Sequence, residues 1–106
     1  MHRISIEKAQ IILETLATYG NNGRGIIALS LETGISKSTI RVFLKSNKDF
    51  ARSMHGVSKF KINKFGDQRG NVEDMIGNMK RRRRTEYALN VTSIILFVLF
   101  ILMTRS

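Results

Sequence analysis

Chemistry in this chain has to be done by cations. Of its 106 residues, 18 are Lys or Arg and 8 are Asp or Glu, a net charge of +10; Cys and Pro are absent and the only imidazoles are His2 and His55. A structural zinc site needs several Cys or His ligands close together, so no metal centre is expected. His2 reads as part of the chain terminus, and His55 as a turn residue within reach of a phosphate. There is no Ser/His/acid or Cys/His set, no paired-carboxylate motif and no phosphate-cradling glycine loop. An enzyme is therefore the least supported class, no cofactor is expected, and binding of anions is what remains.

The positive charge is not spread evenly. Residues 1–36 hold Arg3, Lys8 and Arg24 against Glu7, Glu14 and Glu32, which cancel. Residues 37–64 hold Lys37, Arg41, Lys45, Lys48, Arg52, Lys59, Lys61 and Lys64 against Asp49 alone. A solvated face normally mixes signs, so a block this lopsided predicts a polyanionic partner. A second block, Lys80-Arg81-Arg82-Arg83-Arg84, directly precedes a long apolar run and needs its own explanation.

Three helices are predicted to position the first block. Ser5 caps a helix running to Tyr19, with Lys8 where a capping-box acid would stand and Ala9, Ile12, Leu13, Leu16 and Ala17 at helical spacing; Gly20-Asn-Asn-Gly23 ends it. A second, from about Gly25 to Thr33, carries Ile26, Ile27, Ala28, Leu29 and Leu31 and stops at Gly34. The third, from Lys37 to about Ser46, is capped by Ser36 and anchored by Ile40, Phe43 and Leu44. At 100° per residue, Lys37, Arg41, Lys45 and Lys48 fall within an arc of about 80°, a cationic stripe beside the apolar one. Phe50–Met54 and Lys59–Asn63 then read as two strands around a turn at His55–Ser58, the second alternating cations outward and apolar side chains inward.

Leu29 to Leu44 resembles a helix-turn-helix, with small Ser30, turn glycine Gly34, Ile35 beside it, and Ile40 and Phe43 as anchors of the second helix. The hairpin that follows resembles the wing of a winged helix-turn-helix, so the likeness covers about residues 4–65. It implies a mainly α fold with a small β-hairpin and places Ser36, Lys37, Ser38, Arg41 and Val42 toward a major groove. Arg41 is the side chain expected to reach a guanine edge, because its planar fork can donate to O6 and N7 together. Ser36, Lys37 and Ser38 suit phosphates, with Lys45, Lys48, Arg52, Lys59 and Lys61 on the adjacent backbone. Many helix-turn-helix modules bind proteins instead, so that use stays open.

The end of the chain reads differently. Tyr87 to Thr104 holds no charge, and about 18 helical residues span roughly 27 Å, just enough for a bilayer core. So small a chain could not bury a helix apolar on every face, which makes it a transmembrane helix. The cations at 80–84 would stay on the cytoplasmic side, placing the N-terminus in the cytoplasm of a single-pass, tail-anchored protein of the inner membrane. Lys80, Arg81, Arg82, Arg83 and Arg84 also suit anionic lipid headgroups, and Tyr87 an interfacial anchor.

Between the two, residues 66–84 open with a Gly-flanked hinge and continue as an amphipathic juxtamembrane helix capped by Asn71. Its stripe, Val72, Met75, Ile76 and Met79, could pack back on the soluble domain, lie on the membrane or form a homodimer seam; Ala88, Asn90, Thr92 and Ser93 offer a second route to association through the span. The chain thus divides into 1–65, 66–84 and 85–106. The function expected is a membrane-anchored protein binding double-stranded DNA, as transcription regulator or DNA–membrane tether. The alternative is a membrane-anchored protein–protein adaptor or small membrane effector that uses the same fold without DNA.

Overall fold

A computed structural model of the chain describes residues 4–54, 56, 58–66 and 68–105; His2 and His55 lie outside them. The fold is mainly helical, with one two-stranded antiparallel hairpin and one long apolar C-terminal helix. Four α-helices, α1 (Ile6–Tyr19), α2 (Ile26–Thr33), α3 (Lys37–Ser46) and α4 (Val72–Arg105), are joined by a 3₁₀ turn at Gly20–Asn22 and by strands β1 (Ala51–Ser53) and β2 (Phe60–Ile62). Two compact units result, residues 1–76 and 77–106.

In α1, the Ser5 hydroxyl accepts from the Lys8 amide at 3.1 Å, satisfying one donor that the helix start leaves orphaned. Ala9, Ile12, Leu13 and Leu16 are fully buried, whereas Ala17 is exposed. Helix α2 departs further from its apolar sequence. Only Leu29 is fully buried, and Ile27 and Leu31, one turn apart on the opposite side, are 63% and 81% exposed. Gly34 ends the helix at φ 73° and ψ 10°, the left-handed conformation glycine adopts without a Cβ clash, and its amide donates to the Ser30 carbonyl at 2.9 Å.

Side chains fix the path from α2 into α3. The Ser30 hydroxyl donates to the Ile35 carbonyl at 2.6 Å. The Thr33 hydroxyl donates to the Leu29 carbonyl at 2.6 Å and accepts from the Ile35 amide at 3.2 Å. Ile35 itself is buried, so the turn is held by apolar packing as well as by hydrogen bonds. Ile40, Phe43 and Leu44 enter the core as their spacing predicts.

Each strand is three residues long, shorter than the sequence suggests, with Ala51 opposite Ile62, Arg52 opposite Lys61 and Ser53 opposite Phe60. A free hairpin of that size is marginal in water. This one is held from two sides. Phe50, Ala51 and Ile62 are buried, and Arg24, between α1 and α2, exchanges backbone hydrogen bonds of 2.8 and 2.9 Å with Phe60. Gly23, at φ 69°, makes that approach feasible, because a Cβ there would lie 2.7 Å from the Phe60 carbonyl oxygen and would also clash with Met54 Sδ.

The segment read as a hinge is a pair of turns. The Arg69 amide donates to the Gly66 carbonyl at 3.0 Å, the Asn71 amide to the Gln68 carbonyl at 2.9 Å, and Gln68 is buried. Asn71 then caps α4 by accepting from the Asp74 amide at 3.1 Å, with Glu73 and Asp74 in the first turn where they complement the helix dipole. The separate juxtamembrane and transmembrane helices expected from sequence are one continuous helix. Residues 72–105 contain no proline, and Lys80 to Arg84 are good helix formers, so nothing breaks it. Of the stripe, Met75, Ile76 and Met79 are buried and Val72 is half-buried.

In the second unit, the side chains described from Tyr87 to Thr104 are all exposed. This helix is long and apolar enough to cross a membrane, which indicates membrane association. Two of its hydroxyls are satisfied within the helix: Thr92 donates to the Ala88 carbonyl at 2.9 Å and Thr104 to that of Ile101 at 2.9 Å, as a hydrocarbon surrounding favours.

Candidate nucleic-acid interface

Helix α3 carries three of the cations named above. Lys37, Arg41 and Lys45, at i, i+4 and i+8, are exposed on one face, and the buried Ile40, Phe43 and Leu44 hold the helix by another. Ser38 and Val42 also point outward, Val42 being 50% exposed although apolar. Lys48 does not belong to this stripe. The helix stops at Ser46 because Asn47 turns out of it and donates its side-chain amide to the Phe43 carbonyl at 2.9 Å, and Lys48 follows in the turn that returns Phe50 to the core. Ser36 is likewise committed elsewhere. Its hydroxyl accepts from the Thr39 amide at 3.3 Å and lies 2.7 Å from the Thr39 hydroxyl, so its work is capping.

On the hairpin, register brings Arg52 and Lys61 directly opposite each other on one face. Arg52 is exposed; Lys61 is half-buried rather than fully outward. Like charges facing each other across a ladder are destabilising, so the pair works against the hairpin unless an anion lies between them. Lys59 is exposed at the start of the second strand, and Lys64 just beyond its end. The two sets of cations share a scaffold: Asn63, at the end of β2, donates its side-chain amide to the Lys48 carbonyl at 2.9 Å and its backbone amide to the Phe50 carbonyl at 2.9 Å.

Among the described residues, none of Lys37, Arg41, Lys45, Lys48, Arg52, Lys59, Lys61 and Lys64 forms an ion pair with a carboxylate. Arg24 behaves oppositely. Its guanidinium pairs with Glu32, the Nε donating at 3.0 Å, and lies 4.6 Å from the centroid of the Tyr19 ring, while the Tyr19 hydroxyl donates to the same Glu32 oxygen at 2.7 Å. The Tyr19 hydroxyl and the Arg24 guanidinium hold the Glu32 carboxyl below its ordinary pKa, and donation to Glu32 raises that of Tyr19. This cluster latches α1, the Arg24 loop and α2 together. Sequence reasoning missed it, because its members are 8 and 13 residues apart and vanish from a charge count as a cancelling pair.

Lys80, Arg81, Arg82 and Arg84 are exposed on α4, Arg83 is half-buried and Tyr87 is 73% exposed. Five successive helical positions cover every side of a turn and a half, a collar of positive charge before the apolar stretch. Comparison of this chain with protein-family models, curated proteins and solved structures finds no match.

Proposed function

We propose that this chain is a membrane-anchored DNA-binding protein whose N-terminal unit works as a winged helix-turn-helix on the cytoplasmic face of a bilayer. The observation carrying this reading is the set of eight cations on α3, the hairpin and the adjoining turns that form no ion pair with a carboxylate among the described residues. Duplex phosphates supply counter-charge to such a set in rows. Lys37 and Lys45 neutralise backbone phosphates from α3, Arg52, Lys59 and Lys61 do so from the hairpin, and Arg41 reads base edges in the major groove. The apolar α4 confines the encounter to a membrane surface, as a regulator or a tether would require.

The test is a titration of the full chain, in nanodiscs of neutral lipid, with mixed-sequence duplexes at several salt concentrations. The expected result is affinity that falls with a log-log slope of about −0.9 per phosphate contacted. Absence of binding at low salt, or binding indifferent to salt, overturns the proposal. A second reading, a protein–protein adaptor, draws on Ile27 and Leu31, exposed one turn apart on α2. It gains if duplexes fail to bind while Leu31→Ser abolishes capture of a protein partner.

A further inference from the structure

A surface with this much uncompensated charge has a second anion within reach, the bilayer that holds the chain. The first unit ends at Ile76. The first unit is tethered by only the ten residues 77–86 to the uncharged stretch that begins at Tyr87, so it can sample the leaflet surface continually. Among its cations are two side chains that would meet lipid rather than water well. Val42, next to Arg41 in α3, is 50% exposed. Phe65, 88% exposed, follows Lys64 on a turn fixed by Asn63, whose side-chain oxygen accepts from the Phe65 amide at 3.0 Å. Cations bracketing exposed apolar and aromatic side chains are what binds a protein surface to anionic lipid.

We infer that the α3–hairpin face docks on the anionic phospholipid leaflet of its own membrane, and that duplex DNA must displace the leaflet to occupy it. A duplex is about as thick as a small domain and cannot enter between docked cations and headgroups, so the two partners exclude each other. Each Lys or Arg brought to an anionic leaflet favours the docked state about fivefold. Two of the eight engaged together favour it about 25-fold, and the apparent affinity for duplex falls by the same factor. The DNA competition rests on the function proposed above; docking on lipid does not.

The chain contains no Trp, so Phe65→Trp introduces a single, exposed indole beside Lys64. The full chain would be placed in nanodiscs of neutral phosphatidylcholine and in discs one-third phosphatidylglycerol. Docking shifts the indole emission to shorter wavelength and permits quenching by brominated acyl chains in the anionic discs only. Salt at about 1 M, where screening extends about 3 Å, and excess duplex both reverse the change. The wild-type chain should bind duplex at least tenfold more weakly in anionic than in neutral discs. An emission identical in the two discs overturns the inference. So does weaker duplex binding with an unmoved indole, which is plain repulsion between duplex and leaflet. An emission shift in anionic discs with no duplex binding in either sustains docking and removes the DNA reading instead.

Discussion

Lys61→Gln separates what the hairpin needs for folding from what it needs for binding, because the two respond with opposite signs. Lys61 faces Arg52 across the ladder, and neither pairs with a carboxylate among the described residues. Removing one of two opposed charges relieves a repulsion of about 0.2–1 kcal/mol, while glutamine preserves most of the side-chain stem. The variant should therefore unfold at slightly higher denaturant concentration than the parent. With Lys37, Lys45, Arg52, Lys59 and Lys61 each meeting one phosphate, the log-log salt slope is about −4.5, and Lys61→Gln lowers its magnitude to about 3.6. At about 0.1 M salt that missing contact weakens duplex binding roughly eightfold, nearly equally for all sequences. The assay is fluorescence anisotropy of a labelled duplex against the full chain in neutral nanodiscs, with chemical denaturation in parallel. A less stable variant, or one that binds with unchanged slope, would refute the argument that the cross-strand pair is kept for an external anion.

Gly23→Ala should destabilise by about 2 kcal/mol or more in chemical denaturation, because the left-handed backbone and the Phe60 carbonyl 2.7 Å from the new Cβ both oppose it. Gly34→Ala meets open space and should lose only about 1–2 kcal/mol, the left-handed penalty alone. Because the Glu32 carboxyl titrates below its ordinary value in the fold, its stabilising effect is complete above the unfolded-state pKa and is lost as pH falls through the folded-state one; in acid denaturation Glu32→Gln should remove part of that slope. Arg41→Ala should weaken a preferred sequence about tenfold more than random duplex in competition binding, and equal loss on both would exclude Arg41 from base readout.

Much of the fold was legible because the controlling signals are local. Ser5, Ser36 and Asn71 act as caps through hydrogen bonds to residues three positions on, and Ile40, Phe43 and Leu44 face one way at helical spacing. Long-range terms decided the rest. Helical periodicity placed Lys48 in the α3 stripe, but the Asn47 amide and the burial of Phe50 end the helix first. The apolar run in α2 does not show which side is buried; with Leu29 packed inside, Ile27 and Leu31 face the other way. Nothing in the alternation of β2 showed that Arg24 would bridge to Phe60, since a one-residue pairing leaves no periodic trace. For the candidate interface, residue types and the lack of nearby acids could be read from the sequence. Which cations share a face could not, because that depends on strand register.

The bridge at Arg24 has a consequence for genetics. Three residues per strand cannot keep order unaided, so Arg52, Lys59 and Lys61 are aimed by a peptide group contributed from some thirty-five residues upstream. Loss-of-function alleles should then gather in the glycine-rich loop around Gly23 to Gly25, a stretch holding one cation that is already neutralised by Glu32. Suppressors of such alleles would arise as packing changes at Met54 or Phe60 rather than as added positive charge.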